Sequence, residues 1–101
     1  MPDTTIRVSV TISNRQGLHM RPAYMFAETA TKFGSSVEVV KDETRIDGKS
    51  VLSILTLGAA QGSEVQIEAT GDDAQAAVDA LVQLVESGFV VEEANDTSSQ
   101  S

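Results

Sequence analysis

Residues 5–34, TIRVSVTISNRQGLHMRPAYMFAETATKFG, change hydrophobic period part-way along, and the expected fold follows from that change. Up to residue 12 apolar and polar residues alternate strictly. Ile6, Val8, Val10 and Ile12 point one way and Arg7, Ser9 and Thr11 the other, the pattern of a half-buried strand. SNRQG (13–17) is a loop by its turn chemistry. From about His19 to Phe33 the spacing becomes helical, with Ala23, Phe26, Ala27, Ala30 and Phe33 on one stripe. Gly34 is the expected C-terminal cap.

The same two periods organise the rest of the chain. SVEVV (36–40) reads as a second strand and ETRI (43–46) as a short third, with KD (41–42) as the turn between them. DGKSVLSILTLG (47–58) contains a short helix that opens at Ser50, a good N-cap residue, and closes at Gly58. EVQIEA (64–69) alternates again and should bury Val65, Ile67 and Ala69. GDDAQAAVDALVQLVESG (71–88) is the clearest helix. Asp72 and Asp73 lie at its positive end, the stripe is Ala74, Ala77, Val78, Leu81, Leu84 and Val85, and Gly88 ends it.

The expected order is therefore β-α-β-β-α-β-α. Each strand has one apolar face, so the expected class is α+β: a mostly antiparallel four-stranded sheet with three helices on one face and the other face wet. One domain over residues 1–91 is expected, followed by a polar tail over 92–101 expected to be disordered. No internal repeat or linker interrupts it.

Composition narrows the function classes. The 101 residues are 41% apolar and 22% charged, ordinary for a soluble domain, and Cys is absent. That removes disulfides, thiolate metal sites and thiol nucleophiles. All seven basic residues and six acidic ones lie at or before Lys49; from Ser50 onward there are nine acidic residues and no Lys or Arg. With a net charge of −8, nucleic-acid backbones and anionic membranes are not expected partners. No apolar run is long enough for a membrane span, and no secretory leader is recognisable, so a cytoplasmic protein is expected. No metal site and no cofactor are expected either, because the single His has no convergent carboxylates at helical spacing.

That single histidine, His19, stands two residues before Arg21 and three before Pro22. Proline costs nothing in a first helical turn, where the N–H groups lack partners anyway. The N–H groups of Met20 and Arg21 are thus expected to face outward, and a helix N-terminus beside a guanidinium is suited to a phosphate. A nucleophilic imidazole, free N–H groups and a cation together describe a covalent phosphoryl acceptor. Spacing alone leaves a second reading open, in which His19 is an exposed cap and Arg21 a solvated side chain. Arg15 and Lys49 also stand out as cations flanking these features.

The short helix after Ser50 is apolar nearly all round. Ile54 and Leu57 share one side, while Val51, Leu52 and Leu55 fall largely on the other. In a one-layer sandwich such a helix is expected to present an apolar patch to a partner, extended by Met20 and Tyr24 if the two helix starts lie together.

GLHMRPA (17–23) looks like the active-site signature of HPr, the histidine-containing phosphocarrier family of the bacterial phosphoenolpyruvate-dependent sugar phosphotransferase system. The stretch from Gly48 to Leu81 is similar to that family's second half. The resemblance implies that His19 takes a phosphoryl group at Nδ1 from enzyme I and passes it to permease A components. It implies assistance from Arg21 and the backbone N–H of Met20, and a relay protein without turnover of its own. Ser50 matches the family's regulatory serine, which makes HPr kinase and a transcription regulator further implied partners. Val51, Leu52 and Leu55 match the docking helix, and a monomer is the default expectation.

Departures are also visible. Met20 stands where the family usually has Ala or Thr, and Glu28 and Thr31 where several members carry lysines. Two other readings remain: a regulatory module of the same fold acting through Ser50, and a hydrolase using His19 as general base.

Overall fold

Among the described residues, seven elements follow one another in the expected order: β1 (Thr5–Thr11), α1 (Met20–Thr31), β2 (Ser36–Lys41), β3 (Thr44–Asp47), α2 (Val51–Leu57), β4 (Glu64–Thr70) and α3 (Ala74–Glu86). The structure, a computed structural model, describes residues 4–89. The expected tail at 92–101 and both ends of the expected 1–91 domain lie outside the described residues.

The strands form one sheet in the order β1-β4-β2-β3, with every neighbouring pair antiparallel. Register brings Val8, Ile67, Val39 and Ile46 into one row across all four strands. Directly opposed residues share a face, so this row of β-branched side chains gives the sheet its apolar side. Against that side pack Ala23, Phe26, Ala27 and Ala30 of α1, Ile54 and Leu57 of α2, and Ala74, Ala77, Val78, Leu81 and Val85 of α3. A fully buried Ile or Leu contributes about 1.5–3 kcal/mol relative to exposure, so these helical stripes hold the layer together.

The opposite face is wet and ionic. Arg7 Nη2 lies 3.1 Å from Glu68 Oε1, and Arg45 Nη1 lies 2.7 Å from the same atom and 2.5 Å from Glu38 Oε1. Hydrogen bonding from Arg45 holds the Glu68 carboxyl below its ordinary range against a smaller opposing effect of burial.

Three local expectations shift. The hairpin turn is Asp42–Glu43 rather than Lys41–Asp42, because Lys41 still pairs with Thr44 and Asp42 takes the left-handed φ of +56° that short polar side chains tolerate. Gly34 does not cap α1: the cap is Lys32 in right-handed conformation, and the Gly34 amide instead donates to Asp73 Oδ2 at 2.9 Å. Asp73 is the N-cap of α3 yet makes no side-chain cap bond, since its carboxylate is turned toward Gly34 and Ser35. Gly58 does close α2 with φ +68°, and Gly88 follows α3 with φ +76°.

Candidate functional site

The loop between β1 and α1 is tightly fixed although it has no regular structure. The Gly17 amide donates to the Asn14 carbonyl at 3.0 Å, and Asn14 Nδ2 donates to the Gly17 carbonyl at 2.5 Å. Arg15 and Gln16 are therefore the two central residues of a closed turn. Next, the Leu18 amide donates to the Ala59 carbonyl at 2.9 Å, and the Leu18 side chain is buried. Gly17 has φ +70°, and a Cβ there would meet the Ala59 carbonyl oxygen and lie 2.8 Å from Ala60 Cα. Only glycine lets the loop approach the backbone after α2 this closely.

This anchoring delivers His19 to the N-cap of α1. Its backbone is extended (φ −90°, ψ −165°), its carbonyl accepts from the Ala23 amide at 2.9 Å, and its side chain makes no cap bond. The imidazole is exposed. Pro22 falls at the third helical position, buried, where its missing N–H removes no intrahelical bond. No hydrogen bond engages the amides of Met20 or Arg21 among the described residues. Two backbone donors at the positive end of a helix thus remain available beside the ring.

A cavity of about 390 Å³ opens at this point, lined by Asn14, Arg15, Gln16, His19, Arg21, Pro22, Met25, Gly88 and Phe89. His19 and Arg21 share it, as the spacing suggested. The sequence reading missed the cavity's other walls. Phe89 comes from beyond α3, with φ +66°, and Asn14 Oδ1 is buried without a hydrogen-bond partner. Neither has a local sequence signal, because both reach the site through the fold.

Met20, Tyr24 and Leu52 are exposed at 63%, 55% and 75%, a large apolar presence on two helices packed against each other. Val51 and Leu55 are only half-exposed and lean on the core. Ser50 caps α2, its hydroxyl accepting from the Ser53 amide at 3.2 Å. Just before it, Lys49 Nζ donates to the Phe33 carbonyl at 2.9 Å. No group of three or more metal-ligating side chains occurs among the described residues, and no helix among them is long and apolar enough to cross a membrane.

The sequence model of the family described as "PTS HPr component phosphorylation site" matches residues 6–87. The chain belongs to the HPr phosphocarrier family. It is 37% identical over 84 residues to the phosphocarrier protein HPr of Neisseria meningitidis serogroup A, covering 83% of this chain and 94% of that one. It is 36% identical over 86 residues to the phosphocarrier protein NPr of Escherichia coli K12, covering 84% and 96%. A crystal structure of HPr-C-His from Thermoanaerobacter tengcongensis superposes with a TM-score of 0.82 at 45% identity, over 86% of this chain and 98% of that one. The open-faced sandwich is thus the HPr fold, and this HPr-family chain is a phosphotransferase-system phosphocarrier by kinship with both HPr and NPr relatives.

Proposed function

We propose that this chain carries a phosphoryl group on His19, accepted from enzyme I and delivered to permease A components. The observation that carries the reading is the exposed, uncapped His19 imidazole beside the unpaired amides of Met20 and Arg21, with the Arg21 side chain on the same cavity. In the transfer, the lone pair of the ring nitrogen facing the donor forms the new P–N bond while the donor's bond to phosphorus breaks. The other ring nitrogen keeps its proton. Arg21 and the two amides meet the phosphoryl oxygens, whose charge persists throughout, so they stabilise without reacting. The protein is then a relay whose product is its own phosphorylated form.

Met20, Tyr24 and Leu52 form the centre of the docking surface, with Val51 and Leu55 shaping its base. Ser50 is its regulatory point. A phosphate on Ser50 remains compatible with a helix start yet places roughly −2 charge beside the apolar patch, weakening docking on an acidic partner. The reading as a cytoplasmic, monomeric carrier rests on family kinship. Incubation with enzyme I and labelled phosphoenolpyruvate tests the relay. Acid-labile label on the wild type and none on His19→Ala is expected; equal label on both removes His19 from the mechanism.

A further inference from the structure

We infer that Arg15 is a second phosphoryl-binding cation in this site, acting together with Arg21; this rests on His19 being the acceptor. All seven basic side chains lie among the described residues, and most have partners. Arg7 and Arg45 pair with Glu68, Arg45 also with Glu38, Lys41 lies 3.6 Å from Asp42, and Lys49 binds the Phe33 carbonyl. Lys32 caps α1 through its backbone alone, and it stands at the end of that helix away from His19. Arg15 and Arg21, like Lys32, have no carboxylate within ion-pair distance and no side-chain hydrogen bond among the described residues, but these two alone among the described basic residues line the His19 cavity. Among the described residues, no Asp or Glu lines that cavity. In a chain of net charge −8, two arginines without carboxylate partners lining one hollow make it a local well for an anion.

Arg15 is also held where it can act. It occupies the closed Asn14–Gly17 turn, fixed by the 3.0 Å amide bond and the 2.5 Å side-chain bond already described, so its Cα stays put while its side chain remains exposed. An arginine presents planar paired donors that match phosphoryl oxygens, which a lysine at the same place does only as a point charge. The arrangement suits a carrier: one guanidinium at the helix start and one exposed on the turn stabilise the phosphoryl without enclosing it. Arg15 breaks and forms no bond. It sets how favourably the phosphoryl rests on this protein compared with its donor.

The position of phosphoryl exchange equilibrium with enzyme I measures that quantity. Arg15→Ala should shift the equilibrium about five-fold toward the unphosphorylated carrier at low salt, the size of one exposed charge-assisted contact. Arg15→Lys should recover part of it, and the difference between wild type and Arg15→Ala should shrink in about 1 M salt, where the screening length falls to about 3 Å. A role in docking alone would change how fast equilibrium is reached and leave its position untouched. An unchanged equilibrium for Arg15→Ala, in a wild type that labels on His19, overturns the inference while the carrier reading stands. A wild type that takes no label removes both.

Discussion

Asp73 holds Ser35 twice: its Oδ1 accepts from the Ser35 amide at 2.9 Å and from the Ser35 hydroxyl at 2.5 Å, while Oδ2 accepts from the Gly34 amide at 2.9 Å. The start of α3 is thereby tied to the segment between α1 and β2, some 38 residues earlier. The Ser35 hydroxyl above all, then the Gly34 amide, lowers the Asp73 carboxyl below its ordinary value. A carboxylate with a lowered folded value stabilises the fold above the unfolded aspartate range and loses that contribution as pH falls through the folded value. Asp73→Ala should therefore melt several degrees below wild type at neutral pH, with the gap closing under acid. A gap that stays constant down to about pH 2 would show that the ionised carboxylate is not what makes the tie.

Gly17 predicts a coupled loss. A methyl group there is opposed both by φ +70° and by the Ala59–Ala60 backbone. Gly17→Ala should destabilise by about 2 kcal/mol or more and, under conditions where it is still folded, slow phosphoryl acceptance, because the loop that delivers His19 must move. Denaturant titration with a parallel labelling time course checks both halves.

Ser50 separates capping from charge. Ser50→Ala removes the acceptor for the Ser53 amide and should cost about 1 kcal/mol. Ser50→Asp keeps a capping oxygen and should stay within about 0.5 kcal/mol of wild type, yet bind enzyme I more weakly. Thermal melts and calorimetric titration distinguish the two effects; equal binding by Ser50→Asp and wild type would remove the regulatory role.

Leu52 and Ile54 divide binding from folding on one helix. Leu52 is 75% exposed and Ile54 fully buried. Leu52→Ala should change stability by less than about 0.5 kcal/mol and weaken partner association, whereas Ile54→Ala should cost about 2–5 kcal/mol.

Much of this was legible along the chain because it is periodic. Alternation at residues 5–12 and 64–69 and the helical stripe of residues 74–85 each have a local signal strong enough to order the elements and choose the buried face. The helix starts after His19 and Ser50 were legible through capping and proline chemistry, whereas the roles assigned to His19, Arg21 and Ser50 rest on the resemblance to the HPr family. Gly34, by contrast, looked like a cap only because its partner, Asp73, lies in another element. Phe89 and the buried Asn14 Oδ1 entered the site through chain closure, and Val51 and Leu55 proved less exposed than a two-turn wheel implies because α2 packs against α1. Long-range contacts of this kind leave no local period to read.

Tandem mass spectrometry at alkaline pH, on protein freshly phosphorylated through enzyme I, tests the central claim most directly. Phosphate should localise to His19, vanish on mild acid treatment and be absent from His19→Ala. Acid-stable phosphate on another residue, with His19 unmodified, would contradict the assignment.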